Sequence, residues 1–150
     1  MPSSTTKTHR MHYRIGRGET LVLTFEPYKS EILPLWRFKT SSIATKSSQA
    51  IYSKFLDYDK NDDFVGMDMC RKFLQMGMTR AKRYANHKGG KKYGKDGEEL
   101  EKSMGHEGRE EKLEASRIFR EVWERAKGHK GYRVKKELFL KEQREWEEET

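Results

Sequence analysis

The sequence predicts a predominantly helical α+β domain, in which a small N-terminal β-hairpin packs on three to four helices and a charged C-terminal helical extension follows. Three observations support this class. Two apolar runs near the start flank a glycine-bearing segment, and apolar residues recur at helical spacing over residues 41–86 and 109–148. The length of 150 residues is that of one ordinary domain.

The composition bounds the core and the location. Hydrophobic residues make up 33% of the chain and charged residues 37%, so the core is small, but 17 aromatic side chains (seven Phe, seven Tyr, three Trp) favour an ordered domain. Residues 1–12 are polar and predict a disordered N-terminus without a signal peptide. A single cysteine, Cys70, is typical of a reducing compartment, and no apolar run could span a bilayer. We therefore expect a cytoplasmic protein with no membrane partner.

The predicted hairpin comes first. Residues 13–15 and 21–25 would form its strands, and Gly16 and Gly18 would lie in the turn between them. This hairpin is the only sheet that the sequence predicts.

Two helices follow. The first runs over about residues 41–58, and the second, over about residues 63–86, is central to the domain. One arc of this second helix is predicted to be buried: Gly66, Cys70, Phe73, Leu74, Gly77, Ala81 and Tyr84.

Beyond the core domain of residues 13–93, residues 94–108 are rich in glycine and predict a flexible linker. Residues 109–150 are predicted to be helical and to pack on the core, with a helix over about residues 109–127 and another over about 133–148. The anchors of the last helix are expected to be Val134, Leu138, Phe139 and Trp146.

An acidic segment between the two central helices, residues 57–68, resembles a calcium loop because acidic or amide residues alternate along it. Its sixth position is Asp62, where such loops need glycine, and its twelfth is Asp68, where they usually carry glutamate. An acidic helix connector is therefore the favoured interpretation, and the sequence predicts no metal site and no cofactor.

The leading functional signal is a run of basic residues. Residues 71–95 hold nine Lys or Arg and no acidic residue, whereas residues 1–70 carry a net charge of +2 and residues 96–150 one of −3. Concentrated positive charge favours binding of nucleic acid or another polyanion; the alternative is a solvated helix end that serves solubility. The predicted nucleic-acid-binding residues are Arg80, Lys82, Arg83, Tyr84, His87, Lys88, Lys91, Lys92 and Tyr93.

Two other function classes remain open. The amphipathic C-terminal helices could bind a protein partner, and the oligomeric state is not predicted. Catalysis is disfavoured because no catalytic motif is present, and a small enzyme would need Glu26, Arg37, Arg80 and His87 to meet in one pocket.

Two runs, TFEPYKSEILPLWRFKT (residues 24–40) and DDFVGMDMCRKFLQMGMTRAKRYANHKGGKKY (residues 62–93), carry a family resemblance. The chain resembles a family of small proteins from bacteria, fungi and phages that is known only as a domain of unknown function. The resemblance implies a family core over residues 13–93 and a cytoplasmic location. It implies no activity, cofactor or site residue.

Overall fold

The protein is all α within the residues that the computed structural model describes, which are 5–16, 18–87 and 108–149. Those residues contain no β-strand, so the predicted α+β class is wrong. Among the described helices, none is both long and apolar enough to cross a membrane. A short 3-10 helix (Leu33–Leu35) accompanies the helices α1 (Lys7–Met11), α2 (Tyr28–Ile32), α3 (Ser41–Lys60), α4 (Phe64–Asn86), α5 (Arg109–Gly128) and α6 (Lys130–Glu149).

Turns replace the predicted hairpin. The amide of Leu23 donates to the carbonyl of Glu19 at 3.2 Å, and the amide of Phe25 donates to that of Leu21 at 2.8 Å. Such bonds satisfy the backbone locally, and the spacing of three residues turns Val22 and Phe25 toward the core, where both are buried. A two-stranded hairpin adds little stability by itself, so the chain forms the turns that bury Val22 and Phe25 against the helices.

Order begins before residue 13, where the core domain was predicted to start. Helix α1 is capped by Thr6, whose hydroxyl accepts a hydrogen bond from the amide of His9 at 3.1 Å. Met11 at the end of this helix is buried in the main core. The helix therefore ties the N-terminal segment to the rest of the protein.

Helices α3 and α4 begin close to their predicted starts because each has a side-chain cap. The hydroxyl of Thr40 accepts from the amide of Ile43 at 3.1 Å. The carboxylate of Asp63 accepts from the amide of Gly66 at 3.2 Å. Caps of this kind satisfy amides that the first helical turn leaves without partners.

Helix α4 lies at the centre and packs against α3, α5 and α6. Its predicted buried arc is confirmed except at Tyr84, which is 40% exposed. Close approach explains the small residue Gly77, because a Cβ atom there would lie 2.6 Å from the ring of Phe119 in α5. The aromatic ring of α5 therefore occupies the space that a side chain on α4 would need.

The C-terminal helices pack on this core. Helix α5 buries Phe119 and α6 buries Phe139, but Val134 and Leu138 are 48% and 53% exposed, so their prediction as anchors is wrong. Tyr132 is the other aromatic residue that α6 buries. Since Tyr132 and Phe139 are two helical turns apart, they fix the inward face of α6 and leave Val134 and Leu138 outside it.

Candidate anion-binding cleft

The predicted nucleic-acid site lies only partly within the described residues. Lys88, Lys91, Lys92 and Tyr93 fall outside them. The other five predicted residues occupy the last turns of α4 and the position after it: Arg80, Lys82, Arg83, Tyr84 and His87.

Two of these five residues, Arg80 and His87, are at least partly buried. The guanidinium of Arg80 donates to the carboxylate of Glu19 at 2.6 Å and lies 4.9 Å from the centre of the Trp36 ring. His87 is buried at the end of α4. Arg80 therefore joins the helix to the N-terminal turns, and its charge is already balanced.

The remaining three are more open to solvent. Tyr84 packs beside Phe38, with ring centres 6.1 Å apart, and the ammonium of Lys112 lies 5.5 Å from the Tyr84 ring. Lys82 and Arg83 are exposed. Among the five described residues of the predicted site, Arg80 and His87 are thus at least partly buried, and Lys82, Arg83 and Tyr84 are exposed.

A different polar centre lies near the start of α4, around the fully buried carboxylate of Asp68. The hydroxyls of Tyr13 and Tyr132 each donate to it at 2.6 Å. Arg71, one helical turn further along, donates from Nε at 2.8 Å and from Nη2 at 3.3 Å. Three elements therefore converge on Asp68: the segment after α1, helix α4 and helix α6.

The protonation states within this centre follow from burial and charge. Burial by itself would raise the pKa of Asp68, but the charge of Arg71 and hydrogen bonds from Arg71 and the two tyrosines hold that pKa below its ordinary value. Burial and the Asp68 charge raise the pKa values of Tyr13 and Tyr132. At neutral pH the centre therefore holds an aspartate, an arginine cation and two neutral hydroxyl donors.

Arg71 lines a cleft of about 910 Å³ between α4 and α6, which Lys127 of α5 also lines. Among the described residues, five cationic side chains line this cleft and one carboxylate, Glu137, lines it with them. Such an excess of one sign attracts anions. The cations are Arg71, Lys72, Lys127, Arg133 and Lys136, and the other lining residues are Ile15, Gly16, Gln75, Tyr132 and Leu140.

Lys72 adds positive charge where solvent is scarce. The residue is only 4% exposed. Burial, and then the neighbouring charge of Arg71, lower its pKa, although the Glu19 and Asp68 carboxylates act in the opposite direction. An anion bound in the cleft would offset this cost, because it would place negative charge beside both cations.

A second groove of about 620 Å³ follows α4 toward its C-terminal end, between α4 and α5. Lys127 lines both cavities, and Lys82 lines the far part of the groove. Arg117 and Arg120 also line it, but they pair with glutamates of their own helix. The cleft and the groove thus lie side by side along α4, with basic residues at both ends.

The chain matches, over residues 2–142, the family described as a domain of unknown function, DUF4385. The chain belongs to the DUF4385 family. This confirms the family resemblance, but the match extends well beyond residues 13–93 and includes Tyr13, Asp68, Arg71 and Tyr132 together with every residue of the cleft. No curated protein and no solved structure matches the chain.

The acidic segment of this DUF4385 protein connects two helices. The ammonium of Lys135 on α6 donates to the carboxylate of Asp59 at 2.5 Å and lies 3.1 Å from that of Asp62. Asp63 caps α4 and accepts from the Tyr28 hydroxyl at 2.7 Å. Within the described ranges, no cluster of three or more His, Cys, Asp or Glu side chains is arranged to hold a metal ion.

The sequence did not indicate the cleft of this protein, because Asp68 falls within the segment that resembles a calcium loop. One signal was available, since Asp68 and Arg71 are three residues apart in a helix, with the apolar residues Met69 and Cys70 between them. Arg133 and Lys136 carried no signal, because their place in the cleft depends on how α6 lies against α4.

Proposed function

We propose that this DUF4385 protein binds nucleic acid by contacts to its phosphates, in the cleft between α4 and α6 and along the adjoining groove. One observation carries the proposal: within the part of the chain that the structure describes, five cationic side chains from three helices and one carboxylate line the same cleft. Phosphate contacts from Lys and Arg supply most of the sequence-independent affinity of such proteins.

The adjacency of cleft and groove favours an extended polyanion. Lys127 borders both cavities, and Lys82 continues the positive charge along α4. A phosphodiester chain presents a charge at each nucleotide and could contact both ends at once. Lys82 and Arg83 therefore remain in the proposed interface, and contacts by Lys88, Lys91, Lys92 and Tyr93 remain predictions, as does the cytoplasmic location.

The test is the affinity for a labelled oligonucleotide at several salt concentrations. Replacing Lys127, Arg133 and Lys136 together by Ala removes three cations of the cleft. Each lost phosphate contact should reduce the slope of log affinity against log salt by about 0.7–0.9, so the triple variant should lose about 2.1–2.7 units of slope.

A matched control removes the same charge elsewhere. Lys39, Lys46 and Lys60 are exposed and line neither the cleft nor the groove. Their triple replacement by Ala should leave the slope nearly unchanged. Equal losses in the two triple variants would show that net charge, and not the cleft, governs binding.

A second candidate function, binding of a protein partner by the C-terminal helices, is favoured by Val134 and Leu138. These exposed apolar side chains lie one turn apart on α6. Replacing both by Ser leaves the core intact, so a change in self-association by sedimentation, absent from the lysine control, would support this candidate.

A further inference from the structure

We infer that Arg71 is a preoriented anchor for one phosphate group at the base of the cleft. This inference rests on the proposed function, because the phosphate is taken to belong to the bound ligand. A phosphate of a nucleic acid and that of a small phosphate ester offer the same oxyanion, and the experiment below separates these two sources.

The hydrogen bonds of Arg71 fix its guanidinium. Asp68 accepts from Nε and Nη2, and the side-chain oxygen of Gln75 accepts from Nη1 at 3.1 Å. An arginine has five N–H donors, and the bonds to Asp68 and Gln75 use three of them. The Arg71 guanidinium also hydrogen-bonds the Tyr132 hydroxyl, so among the described residues one N–H is left for a ligand. A donor on an ordered, planar guanidinium can bind one oxygen of a phosphate.

Asp68, which orients Arg71, is itself held by hydrogen bonds from two sides. Tyr13 and Tyr132 donate to separate oxygens of Asp68, which is fully buried. The side chain of Arg71 is 12% exposed, and it reaches the cleft with that small exposed part. Because the guanidinium is already ordered, binding costs little further side-chain entropy.

The surrounding charges make this anchor attractive to an anion. Asp68 balances the charge of Arg71, but Lys72, Arg133 and Lys136 line the same cleft against Glu137 alone. The local charge therefore remains positive. A phosphate that accepts from Arg71 would lie among these three cations.

Arg80 provides an internal comparison on the same helix. It also donates to a carboxylate, Glu19 at 2.6 Å, but it lies over Trp36 and lines neither the cleft nor the groove. If phosphate perturbs any arginine that is paired with a carboxylate, the NMR signals of both Arg71 and Arg80 should change. If phosphate binds in the cleft, only the Arg71 signal should change.

The experiment uses inorganic pyrophosphate and the arginine Nε–H signals of the full-length protein by NMR. Pyrophosphate should shift the Arg71 signal in a saturable manner and leave the Arg80 signal in place. The variant Arg71→Lys keeps the charge but loses the planar guanidinium that Asp68 and Gln75 orient, so its pyrophosphate affinity should fall by about 10- to 100-fold, whereas Arg80→Lys should bind as wild type.

Oligonucleotides with and without a 5′-phosphate separate the two sources. Competition by both with pyrophosphate places a backbone phosphate at Arg71, and competition by the phosphorylated one alone places a terminal phosphate there. If neither oligonucleotide binds the wild type, the proposed function fails; the anchor then stands as a site for small phosphate esters if pyrophosphate still shifts Arg71.

An unmoved Arg71 signal in pyrophosphate overturns the anchor, even if oligonucleotide binding still depends on Lys127, Arg133 and Lys136. This measurement uses wild-type protein, so it decides the matter if Arg71→Lys does not fold.

Discussion

The two ends of α4 carry basic residues in different ways. Near its C-terminal end, several cations are adjacent in the sequence, but Arg80 is paired with Glu19, and Lys82 and Arg83 are exposed. Near its start, Arg71 and Lys72 are joined by cations from α5 and α6 in one cleft. A high density of charge along the chain therefore differs from a high density in space, and only the latter sets a local potential.

The ion pairs at the two ends of α4 differ in how far water reaches them. Arg71 and Asp68 meet at 2.8 Å with side chains 12% and 0% exposed, and Arg80 and Glu19 meet at 2.6 Å with side chains 31% and 35% exposed. The distances are similar, but water screens the second pair much more. Burial, more than distance, should therefore decide the energetic effect of each pair.

The largest expected effect comes from Asp68→Asn. Without the carboxylate, Arg71 keeps its charge in a buried place, and the free energy of unfolding should fall by about 3–5 kcal/mol. Glu19→Gln, which breaks the pair whose side chains are about one-third exposed, should cost less than about 1 kcal/mol. Urea denaturation followed by tryptophan fluorescence measures both, and similar losses would remove the distinction between the two regions.

The acid dependence sharpens this comparison. The folded-state pKa of Asp68 is lowered, so its contribution to stability is present above the unfolded value of about 3.9 and is lost as pH falls through the lower folded value. The stability difference between wild type and Asp68→Asn should therefore shrink only in strong acid. A difference that vanishes already near neutral pH would contradict an ionised Asp68.

A somewhat smaller effect is expected from Gly77→Ala, which tests the close packing between the ends of α4. The new Cβ would lie 2.6 Å from Phe119, so α5 or the ring must shift, at a cost of about 1–3 kcal/mol. At Gly128 nothing lies within 4 Å of an added Cβ, and Gly128→Ala should be neutral or stabilising. Thermal or urea unfolding of both variants gives the comparison.

Lys72→Met should have a smaller effect on stability and the opposite sign. The pKa of Lys72 is lowered by burial and by Arg71, so removing the charge should stabilise the protein at neutral pH by up to about 1 kcal/mol, while anion affinity falls. Wild-type stability should rise between the lowered pKa and 10.5, because the unfolded chain binds more protons there. The advantage of the variant should therefore shrink as pH rises.

The smallest effect on stability is expected from replacing Lys82 and Arg83 together by Ala. Both are exposed, so the free energy of unfolding should change by no more than about 0.5 kcal/mol. The salt slope of oligonucleotide binding should fall less than in the triple variant of the cleft. A larger fall in slope than in the triple variant would show that the C-terminal end of α4, and not the cleft, is the main interface.

The helices were predictable where local chemistry defines them. Thr40 and Asp63 are capping residues whose positions can be read from the chain, and the apolar spacing from Cys70 to Ala81 places the inner face of α4. The turns over residues 19–25 were not predictable in this way, because Leu21 and Phe25 suit a strand and a turn packed on the core equally well. The presence of helices to pack against decides between them.

The candidate site was predictable to a smaller extent. Arg71 and Lys72 begin the basic segment of residues 71–95, and Asp68 lies one turn before Arg71. Tyr13 and Tyr132 are 55 and 64 residues away from Asp68 along the chain, and no spacing rule connects them to it. The Tyr132 hydroxyl meets the carboxylate because α6 packs on α4, and the Tyr13 hydroxyl meets it because the segment after α1 lies against α4.

The sequence by itself determined the central helices, the charge of the segment from residue 71 onward and membership of the family, since helix caps, periodicity and motifs are local properties. The tertiary structure decided that Asp68 is buried and ionised beside Arg71, and that Lys127, Arg133 and Lys136 share its cleft. The physical reason is that desolvation and electrostatic potential depend on distances in space, which the packing of α5 and α6 against α4 sets.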